Sequence, residues 1–373
     1  MLQKLKTDSI ELLKTLISIP SFSKEENNTA DCLLDFFQKK SIPIFRKGNN
    51  VWVKNKFWKD GQPSILLNSH HDTVRPAKAW TKNPHQPLLE NGKLFGLGSN
   101  DAGGCLVSLI ATFLFFYQKE NLNYNIILAA TAEEEISGKN GIASVVDDFG
   151  KIDFGIIGEP TKMQMAIAEK GLMVVDGIAK GKAGHAAREE GVNAIYEVLE
   201  DLEWIRNYEF EEVSDLLGKT KMTVTQINSG TQHNVVPDVC SFVVDVRTNE
   251  KYSNQAVFDI LQKHLKSAVK ARSFRLNSSE IPLTHPLIKS GLDMNLNYFG
   301  SPTLSDQALL SFPTLKIGCG DSARSHTADE FIFLKEIEEG IDIYIELLEK
   351  YFEAPASNHN KLSKQELKYI KNL

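Results

Sequence analysis

Residues 125–131 form one short apolar run, Asn-Ile-Ile-Leu-Ala-Ala-Thr, and after Ala132 the chain meets three adjacent carboxylates, Glu133, Glu134 and Glu135. A run of that length and character predicts a buried strand. Nothing about a strand end calls for three neighbouring anions, which repel one another. They are either solvated as an acidic turn or gathered around a cation, with one carboxylate as ligand and its neighbour as base. The first reading asks nothing of the rest of the chain. The second requires further ligands at matching places.

With 373 residues, 42% of them hydrophobic, the chain is long enough for two folded domains. Its net charge of -6 argues against a nucleic-acid partner. No window holds eighteen uninterrupted apolar residues, so no membrane span is expected. The first residues, Met-Leu-Gln-Lys-Leu-Lys-Thr-Asp, lack an apolar signal core, and a cytoplasmic protein is expected. Cys32, Cys105, Cys240 and Cys319 lie far apart and form no Cys-x-x-Cys pair. Buried free thiols fit this spacing better than disulfides or a thiolate metal site.

Read in order, residues 4–18 show helical spacing, and Pro20 stops that helix. Ser23-Lys-Glu-Glu26 has the form of a capping box for a second helix reaching Lys39. Residues 51–53 and 64–69 predict strands, the second ending at His70-His-Asp72. A glycine-punctuated loop, residues 92–98, delivers Asp101 to the start of an apolar helix over residues 102–117. There Asp101 is either an ordinary N-cap or a ligand. A helix over 141–147 and a strand over 154–158, followed by Glu159, complete the alternation. The pattern is an α/β domain with a mixed, largely parallel sheet flanked by helices. Such sheets carry their sites at the C-terminal strand ends. His70, Glu134, Glu135 and Glu159 all fall just after predicted strands.

Beyond Lys170 the pattern changes to strand 172–181, helix 193–208, strands 223–228 and 241–247, helix 254–270 and strand 273–276. This β-α-β-β-α-β order predicts a ferredoxin-like α+β domain at residues 171–278, inserted into a discontinuous domain of residues 1–170 and 279–352. The outer domain resumes with a strand over 313–318, the loop from Gly318 to His326, and a final helix over 334–351. Residues 353–373 form a polar tail with a weak helical pattern.

Taken together, His70, Asp101, Glu135, Glu159 and His326 offer two imidazoles and three carboxylates, a donor set that suits zinc or a related divalent ion. One carboxylate can bridge two such ions about 3.5–4 Å apart. Five ordered motifs then carry a resemblance: His70-His-Asp-Thr-Val74, Gly98-Ser-Asn-Asp101, Thr131-Ala-Glu-Glu-Glu135, Gly158-Glu-Pro-Thr161 and Ser325-His-Thr-Ala-Asp-Glu330. From about Leu12 to Leu348 the chain resembles the zinc aminoacylase/carboxypeptidase family of M20-type metallopeptidases. That family includes acetylornithine deacetylase, succinyl-diaminopimelate desuccinylase and several di- and tripeptidases. Around Asp101 the chain departs from the family pattern, with Gly96-Leu-Gly-Ser99 before it and Ala102-Gly-Gly104 after it, where basic residues are common.

The resemblance implies two Zn2+ ions, with Co2+ as a possible substitute. His70 and Glu159 would hold one, Glu135 and His326 the other, and Asp101 both. It implies Asp72 as the carboxylate that orients His70, and Glu134 as general base. Glu133 and His71 receive no role. In the inserted domain, taken by resemblance as a lid and homodimer interface, His185 would reach the partner's active site. The alternative for His185 is a solvated turn. Asn234 and Arg247 would bind substrate, although Arg247 could equally pair with Asp245. Arg324, two residues before His326, would either grip a substrate carboxylate or pair with Asp321 or Glu330. The implied reaction is hydrolysis of the amide of an N-acyl amino acid, with the acetylornithine-deacetylase branch nearest. N-acetyl- or N-succinyl-ornithine or -citrulline of arginine biosynthesis are the first expected substrates. The alternatives are a succinyl-diaminopimelate desuccinylase and a di- or tripeptidase. A non-catalytic binding relative is disfavoured because every ligand position and Glu134 are filled by competent residues.

Overall fold

In a computed structural model, which describes residues 1–353, helix α1 (Leu2–Ile17) lays Leu12, Leu13, Leu16 and Ile17 into a large apolar core. The helix expected in the polar tail lies outside the described residues, except that the final helix extends to Glu353. Helix α2 (Asn27–Lys39) begins at Asn27, and the expected capping box does not form. Its two members have other partners. Ser23 Oγ donates to Asp72 Oδ2 at 2.7 Å, and Glu26 accepts from the Lys24 and Glu133 N–H groups.

Strands β1 (Ile44–Lys47), β2 (Asn50–Lys54) and β3 (Ser64–His70) follow, then a small hairpin of β4 (Leu88–Glu90) and β5 (Lys93–Phe95). After helix α3 (Gly104–Phe116) come β6 (Asn125–Thr131), β7 (Phe154–Ile157) and β8 (Met165–Glu169). Every residue of β3, β6 and β7 is buried. Both faces of these strands are covered, which is why they appear in the sequence as continuous apolar runs. The helix expected over 141–147 is instead two 3-10 turns, Ile142–Ser144 and Val146–Phe149. Ser144 Oγ bonds the carbonyls of Gly141 and Asn140, competing with helix propagation.

Helix α3 starts two residues later than expected, after an irregular turn over Ser99–Gly103 in which Asp101 has φ -120 and ψ 97. The Asp101–Ala102 peptide bond is cis. Gly103, not Asp101, is the residue that caps the helix. The turn is held by Glu330, whose carboxylate accepts from the N–H groups of Gly98, Asn100 and Asp101.

Residues 168–280 and 300–304 form a separate compact unit; the rest of the described chain forms the other. This second unit contains β9 (Met173–Lys180), the short β10 (Gly184–His185), α4 (Ala194–Asn207), a hairpin of β11 (Val213–Ser214) and β12 (Gly218–Lys219), and β13 (Lys221–Ser229). It continues with β14 (Val235–Val236), β15 (Val239–Arg247), α5 (Asn254–His264), β16 (Ala268–Ala271) and β17 (Ser279–Glu280). Its antiparallel sheet has the order β13-β15-β9-β16. Alternate residues of β15, from Cys240 to Val246, face the unit's core. Gly177 lies under the Phe242 ring, where a Cβ would sit 2.2 Å from the ring edge.

Helix α5 is shorter than the predicted 254–270, and the last strand is Ala268–Ala271 rather than 273–276. Asp201, on α4, explains the stop. Its carboxylate accepts from the N–H groups of Lys266 and Ser267, turning the chain out of the helix and into β16.

The first unit resumes with α6 (Pro286–Asp293), β18 (Tyr298–Ser301), β19 (Thr314–Lys316), β20 (Phe331–Phe333) and α7 (Leu334–Glu353). Its sheet runs β1-β2-β6-β3-β7-β19-β8. The centre, β6-β3-β7-β19, is parallel, with antiparallel strands outside it. Helices α1, α3 and α7 pack together, and Tyr344 on α7 donates its buried hydroxyl to Ile317 O at 2.5 Å. This layering puts the carboxyl ends of the four parallel strands at one edge.

Candidate metal centre

Three of the five ligand-type side chains arrive on adjacent parallel strands. His70 is the last residue of β3, directly across from Thr131 of β6. Glu134 and Glu135 sit in a 3-10 turn just past β6, and Glu159 lies two residues past β7. Asp101 comes from the irregular turn before α3, and His326 from the loop after β19. Glu133 and His326 both adopt left-handed backbone, with φ 55 and 59.

The carboxylate of Asp101 lies between the two imidazoles. Its Oδ1 is 3.3 Å from His70 Nε2, and its Oδ2 is 3.7 Å from His326 Nε2. On one side, His70 Nε2 is also 3.8 Å from Glu159 Oε1. On the other, His326 Nε2 is 2.9 Å from Glu135 Oε2. Two groups result, His70 with Asp101 and Glu159, and Asp101 with Glu135 and His326; within each, the ligand atoms lie within 4.8 Å of one another. Glu134 Oε2 stands 3.9 Å from His70 Nε2 without belonging to either group.

The electrostatics of the metal-free chain show what this crowding costs. Burial pushes the Glu134 carboxyl well above its usual range, with His70 opposing and Glu159 adding to the rise. Burial likewise brings Glu159 to about 8, against the attraction of His70. Glu135 is raised by burial despite its hydrogen bond to His326, and that same bond lifts His326 to about 9. For Asp101, burial pushes upward but the bond and charge of His70 prevail and hold it low. A cation among these groups would take over the role that protons play here. The hard and borderline donors, N and O without thiolate, fit zinc or a similar divalent ion.

Asp72 departs in part from its expected role. The Nδ1 of His70 is nearest the main-chain oxygen of Asp72, at 2.9 Å, with the carboxylate at 3.5 Å. The carboxylate itself accepts from the N–H groups of Glu134 and Glu135 at 3.1 and 3.2 Å. One residue thus orients the imidazole with its backbone and the acidic turn with its side chain.

Arg324 is corrected. Its guanidinium makes a bidentate pair with Glu336, at 2.5 and 2.9 Å, and donates to Phe331 O. Neither Asp321 nor Glu330 is the partner, and the fork expected to hold a substrate carboxylate is already engaged. In the second unit Arg247 pairs with Asp245 at 2.8 and 3.1 Å, the structural alternative for that residue. There the β10–β14 bridge sets His185 opposite Val235, and Ala186 N donates to Asn234 O, so His185 and Asn234 are neighbours. The His185 side chain is exposed.

Several contributors were not predicted. Asp306 is buried and accepts from Asn68 on β3 and Thr131 on β6, tying together the ends of the strands that lead to His70 and Glu134. Glu133 holds the main-chain N–H and side chain of Asn140. Glu330 lies within a motif singled out above, but nothing in its spacing announces three backbone partners.

Residues 66–350 match the family described as Peptidase family M20/M25/M40. The chain belongs to this family. It is a metal-dependent amidohydrolase. This M20 chain is 25% identical over 380 residues to a succinyl-diaminopimelate desuccinylase of Wolbachia pipientis wMel, covering 93% of this chain and 94% of that one. It is 27% identical over 382 residues to an acetylornithine deacetylase of Buchnera aphidicola subsp. Acyrthosiphon pisum (strain Tuc7), covering 92% and 97%. Among solved structures, aminopeptidase PepT from Bacillus cereus superposes with TM-score 0.75 at 18% identity, covering 93% of this chain and 98% of that one. The YXEP protein of Bacillus subtilis, described as a dinuclear metal binding peptidase from the M20 family, gives 0.71 at 16% identity, covering 94% and 98%.

Beside the centre, His71 is buried with Nε2 2.9 Å from Asn49 O and Nδ1 2.9 Å from Thr29 Oγ1. A carbonyl only accepts, so Nε2 carries the proton of a neutral ring. Burial holds this imidazole down to about 4, from an ordinary 6.5. The unfolded chain therefore binds the proton first as pH falls. Stability from His71 is complete above 6.5 and is lost toward 4, at about 1.4 kcal/mol per pH unit. Unfolding free energies of metal-free wild type and His71→Asn, measured between these values, should differ in slope by that amount. Equal slopes would show that His71 titrates normally in the folded chain.

Proposed function

We propose that this M20 chain hydrolyses the amide bond of an N-acylated amino acid, with two divalent cations held by His70, Asp101 and Glu159 and by Asp101, Glu135 and His326. The observation that carries the reading is the placement of Asp101, whose two oxygens face different histidines. When bound, a zinc-type pair would polarise the scissile carbonyl and lower the pKa of water to about 7. The chain's own contribution to the chemistry centres on Glu134. Its carboxylate accepts the proton from the attacking water as the new C–O bond forms. It then delivers that proton to the amine nitrogen as the C–N bond breaks. Burial raises the Glu134 carboxyl when no cation is beside it, and a divalent pair would favour the carboxylate that the first step needs.

Support for the acyl-amino-acid class comes from relatives named as a desuccinylase and a deacetylase over nearly the whole chain. N-acetyl- and N-succinyl-ornithine and -citrulline are the first substrates of this reading, and N-succinyl-diaminopimelate the next. The structural likeness to a peptidase makes di- and tripeptides the contrasting class. A panel of these compounds, assayed with added zinc or cobalt, tests the choice. Turnover of an N-acyl amino acid well above any peptide is expected; the reverse order would move the chain to the peptidases.

The Glu134→Gln variant should retain its cations and lose about 10²–10⁴-fold in kcat, because the amide cannot accept the proton. Wild-type turnover in that variant, at equal metal content, would remove Glu134 from this role.

The second unit is read as the homodimer interface. Its β13 is a nine-residue edge strand, and Tyr196 and Leu199 of α4 are exposed. An open edge of this length invites pairing with a second copy about a two-fold axis. His185 of one copy would then hydrogen-bond the scissile carbonyl held by the other. Sedimentation should show a dimer. A fully active monomer would remove both the interface and the role of His185.

A further inference from the structure

Glu330 is 2% exposed, yet its carboxylate meets main-chain donors of a single turn. Its Oε2 accepts from Gly98 N at 3.0 Å, and its Oε1 from Asn100 N at 2.8 Å and Asp101 N at 2.9 Å. Its own carbonyl accepts from Gly96 N at 3.1 Å. One side chain and one carbonyl therefore hold the turn from Gly96 to Asp101. The turn has little freedom to settle otherwise. Gly98 is left-handed at φ 75, and a Cβ there would lie 2.6 Å from Thr73 Cγ2.

The clamp is itself anchored. The preceding residue, Asp329, accepts from the N–H groups of Thr81 and Lys82 at 2.9 and 3.0 Å. His326 lies four residues before Glu330 in the same segment. One short stretch thus supplies a ligand of one group and the brace for the carboxylate shared by both. A change in the main-chain direction at Asp101 would swing Oδ1 and Oδ2 together, away from His70 and His326 alike. Burying a carboxylate among neutral N–H donors is costly, and this geometry shows what the burial achieves.

We propose that Glu330 is a positioning residue that sets cation affinity by fixing the main chain of Asp101. The proposal rests on the reading of Asp101 as a ligand shared by two cations. Buried groups that orient ligands commonly govern metal affinity about 10–100-fold. In Glu330→Gln one oxygen is replaced by an amide that donates, so either the Gly98 bond or the Asn100 and Asp101 bonds are lost. Glu330→Asp keeps the charge but shortens the reach.

The test is zinc affinity of the full chain, measured by competition with a chromogenic chelator, beside circular dichroism and thermal unfolding of the metal-free proteins. Glu330→Gln and Glu330→Asp should fold and bind zinc about 10–100-fold more weakly than wild type. Added zinc should restore much of their turnover. A purely structural role would lower the unfolding temperature and leave zinc affinity unchanged, and that result would overturn the proposal. Failure of both variants to fold would do the same. Wild type that binds no zinc or cobalt would instead overturn the underlying reading of Asp101.

Discussion

The first unit is organised around the convergence of like charges at one edge of a parallel sheet. His70, Glu134, Glu135 and Glu159 are carried there by β3, β6 and β7, and Asp101 and His326 complete the cluster. Four carboxylates within reach of two imidazoles repel one another more strongly as water is removed. Helices cannot relieve this, because the site lies beyond the strands they cover. The protein resolves it with backbone hydrogen bonds. Asp72 fixes the N–H groups of Glu134 and Glu135, Glu26 that of Glu133, and Glu330 that of Asp101. Asp306 joins the two strand ends through Asn68 and Thr131. A layer of acids therefore stands behind the acids of the two groups, held chiefly by neutral donors, with Asp72 also beside the His70 ring.

This layer explains what the sequence revealed and what it concealed. The strands β3, β6 and β7 are legible because both faces are buried, leaving apolar runs that stop where the charged residues begin. Four of the ligand-type residues are legible for the same reason: His70, Glu135 and Glu159 stand just where strands end and Asp101 where a glycine turn ends, whereas His326 lies well past β19, beyond the turn Ser322–Arg324. The supporting acids are not. Glu26 and Ser23 match a capping box in spacing, but their side chains bond to Glu133 and Asp72, 107 and 49 residues away. Local pattern cannot weigh partners at that distance. Helix α5 fails for a related reason. Its helical spacing continues past His264, and the break is imposed from α4 by Asp201. Arg324 shows the limit for charged side chains. Its place in the sequence suggested either a substrate carboxylate or the nearby Asp321 and Glu330, whereas Glu336, at the start of α7, takes the guanidinium.

The two halves of the centre are unequal, and the inequality follows from how each is supported. His70 is 1% exposed at the end of a central strand, with Nδ1 held by a carbonyl and Nε2 facing the cluster. The His326 side chain is 56% exposed, on a loop, and its residue is left-handed. A left-handed non-glycine residue costs on the order of 1 kcal/mol and persists only where its surroundings determine it. For His326 those surroundings are the short contact with Glu135 and the anchored Asp329–Glu330 that follows. The position bounded by His70 and Glu159 is thus built from sheet, and the one bounded by Glu135 and His326 from turns. Asp101 belongs to both. Its main chain is braced by Glu330, from the loop that carries His326, while one oxygen points to the strand-borne histidine. Through that residue the strand-borne group and the loop-borne group are tied to one another.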